Sequence, residues 1–499
     1  MKKFVSLAAA LLAALIFALP IAASTDRPRP ASAETPSPSH LPVPSSSWTL
    51  PGRISAFTSS PHDPAGVARP AAPAAGWSTL WLMTNPVNNA QNASVAVDGG
   101  GHVHVAFIGL DTGGTVYYGY CGQSCDAAAS WSITPIASAG GFGGYPRIDV
   151  TPSGQPRIMW FNETVISGVG TYQYATCDAG CTNGANWLVT DLNNNPLGPL
   201  NQTRYFALDP QGRPRFLYTD TATNHSGTYY AYCDAGCTQV ANWYEVHIST
   251  TYLRYDFSLA FDAAGEPRFG FYSYNTVRYE QCTGDCSLTS SWSTRALWPI
   301  GGAGSLSFAL DPAGHPRLAY YQGSNSPALP NDNQLIYGWC DAADCGAATA
   351  TWGKQVVGLP ANFGLQVDLK VDGQGHPQMA YNIDDVSSST YGLGYTLCSA
   401  NCQTSSPTWT AEVVETPGYL DAIMPVSPYT GCTSHWLDDG QNPSLALSGT
   451  SPRIAYSAAH YQGCPGNVFS DVDLDRFALR GAGITPSLPP KIWLPALMR

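Results

Sequence analysis

Two residue sets in this 499-residue chain have the types and spacing that chemistry can use, and both recur. The first is acidic: Asp98, Asp209, Asp262, Asp311 and Asp372, with Thr151 and Ser448 in the same register, each just ahead of a Gly. A carboxylate pair a few ångströms apart would be glycosidase machinery. Acids at equivalent positions of successive repeats cannot meet that way, so they are expected to cap their turns by accepting backbone N–H groups. The arginines just past the turns, Arg157, Arg215, Arg268, Arg317 and Arg453, are expected to find local partners at a strand end. The second set is cysteine, in the pairs Cys121/Cys125, Cys177/Cys181, Cys233/Cys237, Cys282/Cys286, Cys340/Cys345 and Cys398/Cys402. Zinc would need four ligands converging within bond reach. One pair per repeat, with no His beside it, reads instead as a disulfide in an exported chain. Cys432 and Cys464 stand outside the pattern and are expected to join each other. His102 and His104 could offer two metal ligands, but His102 holds the turn position of His315 and His376 and is read as a turn residue. Asp471, Asp473 and Asp475 alternate like calcium-loop ligands without that loop's Gly and Glu, and read as a half-buried strand. No metal or cofactor is expected.

What must position these residues is a hairpin, clearest from Leu208 to Tyr218: an apolar run, Asp, a Gly turn, Pro and a second apolar run. That order suits a type I turn followed by a left-handed Gly. The hairpin occurs seven times, and in six copies a Tyr three before the first Cys (Tyr118, Tyr174, Tyr230, Tyr279, Tyr337, Tyr395) and a Trp after the second (Trp131, Trp187, Trp243, Trp292, Trp352, Trp409) follow it. Each unit reads as four strands, A to D. The fourth residue after the Pro position is aromatic in every copy: Phe107, Trp160, Tyr218, Phe271, Tyr320, Tyr381 and Tyr456. The third is usually small, as in Ala106, Gly270, Ala319, Ala380 and Ala455. A sheet with one bulky and one hollow face stacks on copies of itself, and the fold class is therefore all-β, a seven-bladed β-propeller of four-stranded blades. The last copy, around Ser444, lacks its Cys hairpin and Trp. Residues 77–82 carry the strand-D pattern and are expected to complete that blade and close the ring.

Residues 1–24 read as a secretory signal peptide, with Lys2 and Lys3 ahead of an apolar run and small residues at its end. Residues 25–75 are rich in Pro, Ser and Ala and cannot bury a core, so they form a disordered linker. The propeller is expected over 76–481 and a Pro-rich C-terminal tail over 482–499. Without the two lysines of the signal the net charge goes from −12 to −14, and the whole chain has only five lysines. That balance argues against nucleic acid and anionic membrane as partners. The expected protein is secreted or held at the cell surface, monomeric, with no membrane span in its mature form.

What repeats is scaffold, so function is expected where the copies differ. The A–B turns and Cys hairpins fall on one rim, the turn rim. The B–C loops and the connections between blades fall on the other, the variable rim. The candidate ligand-binding residues there are Trp160, Glu163, Asp220, Tyr274, Asp384 and Trp436, together with Arg204 and Arg254, which with Arg147 precede strand A in three consecutive blades. Polar groups beside aromatic faces suit sugar or peptide ligands. Over about residues 76–481 the chain resembles secreted bacterial propellers of the sialidase-like, BNR-repeat grouping, through the hairpin with its Asp near a Gly turn. The spacing departs from the Asp box of that grouping, Ser-x-Asp-x-Gly-x-x-Trp, because two residues separate Asp from Gly here and Pro-Arg follows. A sialidase would imply six blades, an arginine triad, a Tyr/Glu nucleophile pair and an acid Asp. No motif fixes the Tyr/Glu pair, so the resemblance carries over no catalytic residue. The expected function is binding of a carbohydrate or a cell-surface protein. A sialidase-like glycoside hydrolase or lyase, and a structural or assembly module, are the alternatives.

Overall fold

A computed structural model describes residues 73–82, 90–109, 114–139, 144–162, 170–192, 205–220, 226–249, 257–273, 275–300, 305–322, 334–359, 363–385, 390–416, 434–464 and 468–480. For residues 90, 91, 363–365, 384, 385, 390, 391, 434–441, 459–464 and 468–475 it describes the backbone alone. The strands group into seven antiparallel sheets of four. Blades one to six occupy residues 90–138, 144–191, 206–249, 257–299, 306–356 and 363–415. Strand A of each blade touches strand A of the next, from blade one round to blade seven and back to blade one, so the sheets form a ring.

The turns form as their residues dictate. The carboxylate Oδ1 of Asp209 accepts from the backbone N–H of Gln211 at 3.0 Å and of Arg213 at 2.9 Å. Asp98, Asp262, Asp311 and Asp372 do the same in their own turns. The Gly that closes each turn has positive φ, for example 77° at Gly212 and 83° at Gly314, a conformation that would strain any side chain. Past the turn, the arginine ties strands together. Arg215 donates to Asp209 Oδ2 at 2.9 Å, to the carbonyl of Cys233 at 2.6 Å and to Asp234 at 2.7 Å. Arg317 repeats this with Asp311, Cys340 and Asp341.

Six hairpin disulfides close the C–D loops. Cys121–Cys125, Cys177–Cys181, Cys233–Cys237, Cys282–Cys286 and Cys398–Cys402 hold their Cα atoms 5.7 to 5.8 Å apart, and Cys340–Cys345, with one more residue between, 6.1 Å. The first Cys of every pair is buried where strand C ends. The second is half-buried in Cys125, Cys181, Cys237 and Cys286, and buried in Cys345 and Cys402. Its carbonyl anchors strand D by accepting the indole N–H of the Trp that follows: Cys125 from Trp131 at 3.1 Å, Cys181 from Trp187 at 2.9 Å, Cys237 from Trp243 at 2.9 Å, Cys286 from Trp292 at 3.1 Å and Cys345 from Trp352 at 3.0 Å. Blade six departs from this, because the Cys402 carbonyl accepts from Gln355 of blade five at 2.9 Å instead. These twelve cysteines are scaffold, and their bonds are spent on holding the hairpins rather than on a ligand.

Between blades, the hollow positions receive the bulky ones. A Cβ on Gly270 would lie 2.4 Å from Leu318 Cδ2 of the next blade, so the small residue there makes room for its neighbour. Farther out, the strand-C Tyr of one blade meets the strand-D Trp of the next edge to face. Tyr118 and Trp187 are 5.0 Å apart between ring centroids, Tyr174 and Trp243 5.3 Å, Tyr337 and Trp409 5.5 Å. An edge-to-face pair adds about 0.5–1.5 kcal/mol beyond the area it buries.

Blade seven consists of Ser434–Ser448, Ser451–Cys464 and Val468–Arg480, and its outer strand is Trp77–Trp81. Trp77 lies opposite Arg480 and Trp81 opposite Arg476. Trp77 takes the place of a strand-D Trp, with its ring 5.2 Å from Tyr395 of blade six. At this seam Arg476 and Glu415 are both fully buried, at 0% side-chain exposure each, and they bond to each other. Thr79 donates to Glu415 at 2.8 Å and accepts from Arg476 at 2.9 Å. Tyr456 donates to the same carboxylate, and Trp81 covers the guanidinium at 4.0 Å.

Three expectations about loops are corrected by strand length. Trp436 and residues 434–442 belong to the long strand A of blade seven rather than to a connecting loop. Asp384 and Asp385 end strand B of blade six, Pro377–Asp385. Cys464 is the last residue of a strand B rather than part of the loop after it. Each of these strands continues past the apolar run that marks it in sequence, because backbone pairing in a hairpin persists where side chains turn polar. The Cys432–Cys464 bridge lies outside the described residues.

Candidate functional site

The turn rim is chemically occupied by its own scaffold. Its acids and arginines neutralise one another in the clamps described above. In blade one, His104 replaces the arginine, with Nδ1 2.8 Å from the Tyr118 hydroxyl and Nε2 3.5 Å from Asp98. His102 Nδ1 lies 2.8 Å from the same carboxylate, so both histidines serve the turn. Asp311, His315 and Asp341 bring ligand-type atoms within 4.8 Å of one another. Arg317 donates to both carboxylates, at 2.6 and 2.7 Å, and supplies the positive charge that a metal would bring. A dication there would sit against a guanidinium. A depression of about 700 Å³ lies beside this cluster in the Cys340–Cys345 hairpin of blade five. Its polar lining is engaged: Asp344 accepts from Gln281 at 2.7 Å, and the carbonyls of Ala347 and Ala350 accept from Arg295.

The inner strands are occupied too, in a way the sequence reading missed. The residue four before each turn acid is polar: Ser94, Arg147, Tyr205, Ser258, Ser307, Asp368 and Ser444. Ser444 Oγ accepts from the N–H of Val95 at 3.1 Å, Ser307 Oγ from Leu369 at 3.0 Å and Asp368 from Leu445 at 2.5 Å. Each of these side chains satisfies the neighbouring blade's backbone where a sheet edge would otherwise be unpaired. Arg147, at 7% exposure, belongs to this collar and lines a cavity of about 20 Å³ with Ser307, Asp368 and Asn442. That volume holds about one water molecule and no larger ligand. The signal was present in sequence as a polar residue inside an otherwise apolar run.

The variable rim differs. The sixth residue after the Pro position ends strand B in blades one to five, while strand B continues beyond it in blades six and seven; it lies on the same face as the aromatic two before it. In blades two to five it is polar: Asn162, Asp220, Ser273 and Gln322. In blades six, seven and one it is Ile383, Ala458 and Gly109. Ser273 and Gln322 are each 1% exposed and Asp220 8%. Asn162 Oδ1, Ser273 Oγ and Gln322 Oε1 are buried with no hydrogen-bond partner among the described residues, and so is Gln334 Oε1 across the strand pair from Gln322. A buried polar group without a partner costs about 1–3 kcal/mol.

Asp220 has the most elaborate surroundings. Tyr218, on the same face, donates its hydroxyl to Glu245 of strand D. Tyr229 stacks on Tyr218 at 5.2 Å, and the His247 ring lies 5.0 Å from Tyr229. Burial first, and the Glu245 carboxylate second, push the Tyr218 phenol far above its ordinary range, so it stays protonated.

Of the residues proposed from sequence as ligand contacts, Asp220 stands at this rim. Trp160 does not: it is 0% exposed and packs between blades one and two with Ile108, Val116 and Tyr118, filling the bulky position of its sheet. As placed, it offers no face to a ligand. The backbones of Asp384 and Trp436 are described, and both stand in strands. Glu163, Arg204, Arg254 and Tyr274 lie outside the described residues.

No protein-family model matches this chain, and no curated protein matches it. Among solved structures it is similar to the polysaccharide lyase Uly1, at 9% identity and a TM-score of 0.41, covering 80% of this chain and 91% of that one. It is similar to the NanB sialidase from Streptococcus pneumoniae at 11% identity and a TM-score of 0.41, covering 81% of this chain and 71% of that one. An Aleuria aurantia lectin matches at 10% identity and a TM-score of 0.36, covering 81% of this chain and 100% of that one. At such identities and scores these likenesses bear on neither ligand nor activity.

Proposed function

We propose that this protein is a secreted binding propeller whose variable rim takes a hydroxyl-rich ligand, a carbohydrate free or carried on a cell surface. The observation that carries this reading is the contrast between rims. On the turn rim, most charged and polar groups are engaged in repeating clamps, with Arg317 Nε and Trp409 Nε1 left buried without a partner among the described residues. On the variable rim, blades two to five carry polar oxygens at one register, and three of those four residues have a buried oxygen without a partner among the described residues. Hydroxyl groups of a sugar would meet that demand. Disulfides in six hairpins suit an oxidising, extracellular setting, and no helix among the described residues is long and apolar enough to cross a membrane.

A hydrolase reading finds one observation in its favour, the Tyr218 hydroxyl bonded to Glu245. Tyr218 is 1% exposed and its phenol is held protonated, which suits a packed hydroxyl better than a nucleophile presented to substrate. The full chain should therefore be retained on a glycan array and leave fluorogenic glycosides intact. Release of product would overturn the binding reading in favour of catalysis.

A further inference from the structure

On the turn rim the repeat is broken in the Cys340–Cys345 hairpin of blade five, and the depression of about 700 Å³ lies where it is broken. This hairpin holds one residue more between its cysteines than the other five, and the 3₁₀ turn that precedes the strand-D Trp in blades one to four is not formed here. At the residue after that Trp, blades one to six carry Ser132, Leu188, Tyr244, Ser293, Gly353 and Thr410. In blade three this position covers an aromatic: Tyr232 lies close to Tyr244 across the strand pair, and the two rings stack at 5.6 Å. In blade five Gly353 lies opposite Trp339, and a Cβ there would fall 2.3 Å from the indole. The missing side chain lets the indole lie down on strand D, and Trp339 stays half-exposed in the wall of the depression. Around it stand Asp341, Asp344, Thr349 and Thr351, all exposed. The scaffold engages Asp341 Oδ1, Asp344 Oδ1 and the carbonyls of Ala347 and Ala350. The second oxygen of each carboxylate and both threonine hydroxyls make no hydrogen bond among the described residues.

We propose that this depression is a second saccharide site, on the rim opposite the variable one, and that it takes a neutral sugar. The sugar's C–H face rests on the Trp339 indole. Its hydroxyls donate to the open oxygens of Asp341 and Asp344 and exchange hydrogen bonds with Thr349 and Thr351. All four of these polar residues are exposed in the free protein, so a ligand meets them without any blade moving. An acidic sugar would face two carboxylates. A cation would gain little, because Arg317 already bonds to Asp341 and Arg295 already lies against the carbonyls of Ala347 and Ala350. This inference goes beyond the variable-rim reading and concerns a separate set of residues.

The test uses the full chain labelled with fluorotryptophan, in which the fluorine resonance of Trp339, one of 14 tryptophans, is the one lost in Trp339→Phe. Methyl glycosides of glucose, galactose, mannose, fucose and N-acetylglucosamine are titrated in turn, followed by the acidic methyl glucuronoside and by choline. At least one neutral glycoside should shift that resonance to saturation, and the glucuronoside and choline should leave it in place. Thr351→Val should weaken the bound glycoside by about tenfold, as the loss of one hydrogen bond does. Gly353→Ser installs the residue of blades one and four, displaces the indole and should weaken binding by about as much, roughly tenfold. Thr351 is exposed, so its variant reads binding even where Gly353→Ser disturbs the hairpin. Tyr244→Ser, at the same register in blade three, should leave the affinity unchanged. Wild-type affinity in both Thr351→Val and Gly353→Ser, or a shift with the glucuronoside or choline alone, would overturn the site. If no neutral glycoside moves the Trp339 resonance while the glycan array retains the chain, this site is wrong and the variable-rim reading stands.

Discussion

Glu280 shows how a single residue can set the pH response of this fold. It lies in strand C of blade four at 1% exposure, opposite Phe269, and its carboxyl group accepts from the Thr294 hydroxyl. Burial raises its pKa from the ordinary 4.5 to about 7, against smaller opposing effects of Thr294 and Arg278. The folded chain therefore keeps a proton that the unfolded chain gives up between those values. Stability falls as pH rises through that window, and the loss is complete above it. Glu280→Gln should raise stability at pH 8 by about 2–3 kcal/mol and change it little at pH 4, as read from urea unfolding at both values. A gain of equal size at both pH values would mean that packing, not ionisation, is responsible. At this scale the sequence was legible where a residue serves its own turn, as Asp209 and Arg215 do. It was misleading where an aromatic fits two roles. Trp160 lies at the bulky position shared by seven aromatics, and that register, rather than its nearness to a polar loop, decides that it is buried.

At the scale of elements, the hairpin disulfides and the Tyr–Trp pairs were legible because a repeat prints the same spacing many times. What could not be read was how far a strand continues once its side chains turn polar, as in the 15-residue strand A of blade seven. Strand length there depends on the partner strand, which no local pattern reports. The polar collar of the inner strands was hidden for a related reason: Ser94, Ser307 and Ser444 bond across blades, to residues far away in sequence. Blade seven alone lacks a hairpin bridge, and the two cysteines left over are Cys432 and Cys464. We propose that they are joined, closing a loop of about 31 residues and stabilising the fold by about 3–4 kcal/mol. Peptide mapping without reduction should recover the two peptides as one linked species. Either cysteine free, or linked to a hairpin cysteine, would contradict this.

On the scale of the whole molecule, we propose that the ring joins its ends at blade seven and that Trp77–Trp81 is what holds it shut. The strand brings Thr79 and Trp81 to the buried Arg476–Glu415 pair, and Trp77 to Tyr395. Breaking a buried pair by removing one partner costs about 3–5 kcal/mol, because the other charge is left without compensation. Arg476→Ala should destabilise the whole propeller in a single transition, followed by thermal unfolding with two optical probes. Loss confined to one blade, with the rest melting as before, would show that the seam does not support the ring. The two rims of the ring also differ in residue chemistry. The turn rim repeats the same acid–arginine clamps, while the variable rim of blades two to five carries Asn162, Asp220, Ser273 and Gln322. The most direct measurement is hydrogen exchange of the full chain with and without a glycan retained on the array. The strand ends at these four residues should gain protection, with the turns at Asp209, Asp262 and Asp311 unchanged. Protection at the turns instead, or none at either rim, would contradict the account.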